Sequence, residues 1–156
     1  MNLFRVSVSG VGIALVLIYG VGSGLWVSSA NNWYQALNSP SWQPPDWLFG
    51  VIWPYNFIVL GLAAVLVGQR LNKELAITWL ALLALSIIAA LTWAFLFYQP
   101  HNLKAAAISL AVAALITMPV VLVAFKASPA IGIALIPYQV WLLLATCLSI
   151  EYARLN

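Results

Sequence analysis

The sequence predicts an all-α integral membrane protein: a bundle of five transmembrane helices in a single domain. Three observations carry that prediction. The first is composition, with 65% of residues hydrophobic, 6% charged and a mean hydropathy of +1.03. A soluble domain has about a quarter of its residues charged, so this chain lacks the charge to cover a water-facing surface. The second is the spacing of the charges, which separate apolar runs near the ~20 residues that a spanning helix needs. The third is continuity. Backbone polar groups in lipid must be satisfied internally, which leaves helices or closed barrels, and these runs lack the in–out alternation of a barrel strand.

The charge-free gaps run from Arg5 to Asp46, Asp46 to Arg70, Glu74 to Lys104, Lys104 to Lys126 and Lys126 to Glu151. Each of the last four holds one span; the first holds a span and a connection. The first span is expected over about Phe4–Ser29. A rival reading is a cleaved signal peptide, with Arg5 as its n-region and Ser28-Ser29-Ala30 as its cleavage site. The apolar run exceeds the 7–15 residues of a typical h-region, which favours a retained helix. Gly20, Gly22 and Gly24 lie on this span, and a Gly-xxx-Gly spacing admits close approach of another helix.

The second span is expected over about Trp47–Gly68, with Pro54 tolerated if neighbours satisfy the carbonyl it frees. Gln69–Glu74 is the plainly polar loop. The third span covers about Leu75–Tyr98, where Ser86, Ala90 and Ala94 make a small-xxx-small row, a candidate packing or dimer seam. His101 sits in the short turn that follows and has no second metal-type ligand at a useful spacing, so it reads as a surface residue. The fourth span covers about Lys104–Phe125 with a kink at Pro119, and the fifth about Pro129–Tyr152. The lone cysteine, Cys147, excludes an internal disulfide and reads as inert packing. Arg5, Arg70, Lys73 and Lys126 fall on one side of the membrane, Lys104 and Arg154 on the other. The positive-inside rule then places the N-terminus in the cytoplasm.

Residues 30–46 form the connection between the first two spans. From Trp33 to Trp53 the chain carries four of its eight tryptophans and three of its eight prolines. Pro40, Pro44 and Pro45 each fix φ, remove a donor and restrict the preceding residue, so the segment is read as irregular and stiff. On composition alone, an interfacial anchor is the favoured reading of such indoles; a lid over an aromatic pocket is the sharper one.

Conventional acid–base chemistry finds little support. The acidic residues Asp46, Glu74 and Glu151 all sit at span ends, and no ionisable group lies mid-span, which argues against a proton pump or ion-coupled carrier. The net charge of +3 forms no basic patch, so nucleic-acid binding is not expected. No metal constellation is visible. What remains is aromatic: Trp53, Phe57, Trp93, Tyr138 and Trp141 lie in three different spans. They either fill the bundle core, or line one cavity suited to a flat, conjugated, apolar ligand held by burial and stacking.

One string is highly specific: Trp33-Tyr34-x-x-Leu37-x-x-Pro40-Ser41-Trp42-x-Pro44-Pro45, followed by Gly50-x-x-Trp53 and Gly61. Together with Trp93-x-x-Leu96-Phe97, Pro137-Tyr138-x-x-Trp141-x-x-x-Ala145-Thr146-x-Leu148 and the closing Leu155-Asn156, it resembles the signature of the translocator protein family. Members are also called tryptophan-rich sensory proteins or peripheral-type benzodiazepine receptors. The resemblance covers nearly the whole chain. It implies a five-helix bundle, often a homodimer in the lipid membrane, that binds porphyrins such as protoporphyrin IX or haem, and in animals cholesterol and synthetic drugs. No cofactor is required; porphyrin or haem is a ligand. Bacterial members are linked to stress and tetrapyrrole regulation, and some to light-dependent degradation of protoporphyrin.

The resemblance implies a ligand site drawn from Tyr34 and Trp42 in the connection, Trp53 and Phe57 in the second span, Trp93 in the third, and Tyr138, Trp141 and Ala145 in the fifth. Trp53 and Trp141 match the tryptophans implicated in photochemistry, and are catalytic only if photodegradation occurs. Leu148, Tyr152 and Arg154 fit the loose sterol-recognition pattern, which occurs widely by chance. The chain also departs from the family: Ala90 replaces a usual Asn, Ala94 a frequent polar residue, Ser39 a usual Lys, and Ser149 a fifth-span Asn. The first two losses would alter ligand preference. The leading expectation is a membrane receptor or carrier for porphyrins; the alternatives are a porphyrin-degrading enzyme and a ligand-free scaffold.

Overall fold

A computed structural model describes residues 3–29 and 31–156, leaving Ala30 of the suggested cleavage site outside the described residues. The elements are α1 (Leu3–Ser29), α2 (Asn31–Gln35), α3 (Asp46–Arg70), α4 (Lys73–Tyr98), α5 (Leu103–Ala127) and α6 (Pro129–Leu155). Five of these are long and apolar enough to cross a membrane. The chain is an all-α bundle of five spans. Two boundaries differ from expectation. The polar segment after α3 is mostly helical, leaving Leu71 and Asn72 as the turn, because Asn72 caps α4 by accepting from the Leu75 N–H at 2.9 Å. The connection also holds one short helix, α2, ahead of its prolines.

The five long helices make a ring in the order α1, α4, α5, α6, α3, each antiparallel to its chain neighbour. The tightest seams join α5 to α4 and to α6, while α3 meets α6 more lightly. Between apolar helices in lipid there is little hydrophobic drive, so close approach depends on small residues. A Cβ placed on Gly68 of α3 would lie 3.0 Å from the Arg5 carbonyl and 3.1 Å from the Ser9 nitrogen of α1. Only glycine admits that backbone contact. Ser86, Ala90 and Ala94 are likewise buried inside the chain. That row is an internal packing surface, so it is not free to serve as a dimer seam.

Two side chains support carbonyls beside those that prolines free in α5 and α6. A proline leaves the carbonyl four residues earlier without its donor. Tyr55 Oη donates to the Ala134 carbonyl at 2.8 Å, next to Ile133, which Pro137 frees; Gln139 Nε2 donates to the Ala114 carbonyl at 3.1 Å, next to Leu115, which Pro119 frees. Arg70 reaches across the same end of the bundle to the Ala127 carbonyl at the end of α5. At that end the core is solid: Trp79 is fully buried and donates its indole N–H to the Val120 carbonyl at 3.0 Å. Cys147 faces outward instead of packing inside the bundle. The other end, beneath α2 and the proline-rich connection, is not filled.

Candidate functional site

The unfilled end is a partly open cavity of about 290 Å³ lined by α1, α2, α3, α4 and α6. It exists because α1 packs on α3 and α4 but not extensively on α6, so the space between α1 and α6 is left to side chains. One wall comes from α3, where Phe49, Trp53 and Phe57 recur every four residues and share a face. Trp53 stacks on Phe57 with ring centres 5.7 Å apart, and meets Trp141 of α6 edge-on at 6.5 Å. Phe49 closes the same group against Trp141 at 5.1 Å. Tyr19 of α1 lies behind this wall, edge-on to both Trp53 and Phe57.

The opposite wall comes from α4, with Trp93, Phe97 and Tyr98, and from the last turns of α6 with Ala145, Leu148, Ser149 and Tyr152. The Trp93 indole N–H donates to Ser149 Oγ at 3.1 Å, which fixes the plane of its ring. The floor on α1 is small: Gly20, Ser23, Gly24 and Val27. Tyr34 of α2 covers the top, tilted against Phe97, Tyr98 and Tyr152. α2 is itself held by Trp33, which meets Phe97 edge-on and stacks flat on His101 at 3.8 Å. His101, in the left-handed region at φ 57°, is exposed as expected but acts as a buttress for the connection.

Most of the sequence-derived site comes together. Tyr34, Trp53, Phe57, Trp93, Trp141 and Ala145 all line the cavity. Trp42 does not: it is 48% exposed, because the turn at Pro40–Gln43 directs it outward. Tyr138 is fully buried one turn from Trp141 and packs behind the wall. The sterol-type pattern is divided. Leu148 and Tyr152 point into the cavity, whereas Arg154 is exposed and pairs with Glu151 at 3.1 Å. Residues four apart share a helix face and residues two apart do not, so these three make no single surface. Ala90 and Ala94 are buried among helices and are not among the lining residues, so the polar groups missing there are not lost from the cavity wall. Ser149, by contrast, stands within the wall itself.

Comparison with known proteins gives the family. The family model for the TspO/MBR family matches residues 12–155. The chain belongs to that family. It is 30% identical to Protein CrtK of Rhodobacter capsulatus over 83% of this chain and 82% of that one. It is 27% identical to the tryptophan-rich protein TspO of Chlorobaculum tepidum over 92% of each chain. To the translocator protein of Homo sapiens it is 27% identical over 83% of this chain and 78% of the human one. The chain is thus an integral, multi-pass membrane protein of the TspO/MBR family.

Sequence reasoning missed Phe49, Phe97, Tyr98 and the α1 floor. Phe49 and Phe97 each stand four residues from a named tryptophan, a spacing that puts them on the same helix face. The floor carried no comparable signal, since small residues announce close packing more often than a ligand surface.

Proposed function

We propose that the protein is a membrane receptor or carrier that binds porphyrins, such as protoporphyrin IX or haem, or related flat hydrophobic ligands, and serves tetrapyrrole or stress regulation. The observation that supports this most is that two aromatic groups, one of α3 with Trp141 and one of α4 with Tyr152, line one cavity together. Aromatic walls with few polar groups favour a conjugated ring, each ring contact adding about 0.5–1.5 kcal/mol beyond area. Among the described residues, no charged side chain lines the cavity. A porphyrin's carboxylates would therefore stay at the mouth, in the headgroup region, while its ring enters. The volume stands at the lower edge of the ~300–1,000 Å³ typical of ligand pockets. The cavity is open at its mouth, so a macrocycle admitted past the covering connection extends out through that mouth with the connection back in place.

Among the described residues the lining offers aromatic faces and no His, Cys or Met, so haem would be held as a ligand by its ring faces. Homodimerisation belongs to the same proposal, as does a cytoplasmic N-terminus. The latter rests on Arg5, Arg70, Lys73 and Lys126 sharing the end of the bundle opposite the cavity. The test is titration of protoporphyrin IX into purified protein while following Trp emission. Saturable quenching that weakens in the Trp53→Leu and Trp141→Leu variants supports a pocket; unsaturable quenching that ignores both variants refutes it.

A second reading, light-dependent porphyrin degradation, is favoured by the adjacency of Trp53 and Trp141 in the wall. An indole against an excited porphyrin is placed for electron or hydrogen transfer. Illumination with protoporphyrin should then bleach the Soret band faster than free tryptophan does, and the Trp53→Phe/Trp141→Phe double variant should lose that excess. Equal rates for protein and free tryptophan would reject catalysis.

A further inference from the structure

The connection over the cavity is fastened to α6 at two points, one away from the cavity lining and one on Tyr152 of its wall. At the first, the Asn156 carboxamide pairs with both backbone groups of Asn38. The Asn38 N–H donates to Asn156 Oδ1 at 2.9 Å, and Asn156 Nδ2 donates to the Asn38 carbonyl at 3.1 Å. This copies the two-bond pairing of adjacent strands with a single side chain. Asn156 is itself steadied, since Nδ2 also donates to the Tyr152 carbonyl at 3.1 Å. At the second point Tyr152 Oη donates to Gln43 Oε1. The Tyr34 and Tyr152 hydroxyls lie 3.1 Å apart. A hydroxyl carries one proton, so with Tyr152 giving its own to Gln43, Tyr34 is the donor to Tyr152.

These contacts bracket Pro40, which is buried, and the turn closed by the Gln43 N–H donating to the Pro40 carbonyl at 3.0 Å. Proline and turn make the segment between the two fastenings stiff, so it moves as a unit rather than unravelling. We propose that Asn156 and Gln43 are positioning residues that latch this segment shut, and that release of the latch, not rearrangement of the aromatic walls, sets the rate at which ligand enters and leaves. This rests on the binding role proposed above. A residue that holds the lid without touching the ligand governs both directions of exchange equally and leaves the equilibrium nearly unchanged. Tyr34 and Tyr152 have both roles, because they belong to the fastening and also line the cavity.

The design of the latch supplies its own control. Asn156→Ala removes both bonds to the Asn38 backbone. Asn38→Ala keeps them and loses only the weaker Nδ2 contact to the Leu155 carbonyl at 3.4 Å. Asn156→Asp keeps the acceptor for the Asn38 N–H and loses the donor. The experiment pairs amide hydrogen exchange of residues 37–43 with stopped-flow binding of protoporphyrin IX, on the full chain in lipid nanodiscs. Two hydrogen bonds lost should speed exchange of this segment about tenfold or more in Asn156→Ala, less in Asn156→Asp, and least in Asn38→Ala. Association and dissociation rates should rise together in the same order, with Kd held within about twofold, as for a gate that gives equal access to both directions. Equal exchange in Asn156→Ala and Asn38→Ala overturns the latch. Faster exchange with unchanged ligand rates overturns its role as the gate. If wild-type protein binds no protoporphyrin while the exchange order holds, the binding reading fails and the gating proposal falls with it, leaving a fastening that serves structure alone.

Discussion

Gly24 offers a way to separate the cavity's role in binding from its role in folding, because leucine there acts on the two with opposite sign. Gly24 lines the cavity floor on α1, and a Cβ built on it meets nothing within 4 Å. The side chain therefore grows into open space without pushing a neighbouring helix. Four added carbons, at roughly the ~30 Å³ that one water occupies, take about 100 Å³, or on the order of a third of the 290 Å³ present. A flat ligand forced off the floor loses one or two ring contacts at about 0.5–1.5 kcal/mol each, or roughly 3- to 150-fold in affinity. Meanwhile glycine costs a helix interior about 0.8–1.0 kcal/mol relative to good helix formers, so leucine should raise the melting temperature. The assay is protoporphyrin IX titration by Trp quenching alongside a thermal melt of the same preparation. Weakened binding with an unchanged or higher melting temperature is the expected outcome. Unchanged affinity with a raised melting temperature would show that ligand does not occupy this space.

Three further substitutions test the packing and the wall. In Gly132→Ala the new Cβ would sit 2.3 Å from Phe125 Cγ, at the rigid root of the ring, so a thermal melt should show a loss of about 1–3 kcal/mol; an unchanged melt would mean that α5 and α6 separate freely. Asn56 is fully buried in α3, and among the described residues neither side-chain atom has a hydrogen-bond partner. Asn56→Leu should therefore raise stability by about 1–3 kcal/mol, and a lowered melting temperature would show that the carboxamide is satisfied in the membrane. Ser149→Ala takes the acceptor from the Trp93 indole and should weaken porphyrin binding several-fold with little change in melting temperature, an effect that Ser149→Thr should largely reverse; equal affinities for all three proteins would remove Ser149 from the site.

The number of spans, their approximate limits and most of the aromatic site were legible in the sequence for physical reasons. A membrane leaves few ways to satisfy backbone groups, so charges mark where most of the spans stop, α1 excepted. Tryptophans spaced at helical intervals on separate spans are few, which made Trp53, Trp93 and Trp141 visible. What was not legible depended on direction. Trp42 stands within the most distinctive string of the chain, yet its ring faces outward because a turn at Pro40 sets its angle. Tyr138 and Trp141 are three residues apart on one helix, close enough in angle to share a face, but only one reaches the cavity. The contribution of α1 was hidden because glycines and a serine carry no chemistry of their own; they matter as the space they leave. Asn38, Gln43 and Asn156 were hidden differently, since their partners are more than 100 residues away in the chain.

The connection that looked like an interfacial anchor combines two physical features that an anchor does not need. Its prolines lower the conformational freedom it must lose, and its bonds to α6 fix where it rests. An anchor would gain from flexibility, because each indole could then find its own depth at the headgroups. A lid gains from the opposite, since a stiff cover presents the same Tyr34 to every ligand and opens as one piece. Trp42 and Trp47, at 48% and 67% exposed, remain free to lie in the interface. The two readings are thus divided between faces of one segment: the outward tryptophans are free to lie at the membrane surface, and the inward Tyr34, linked through Tyr152 to Gln43, covers part of the cavity.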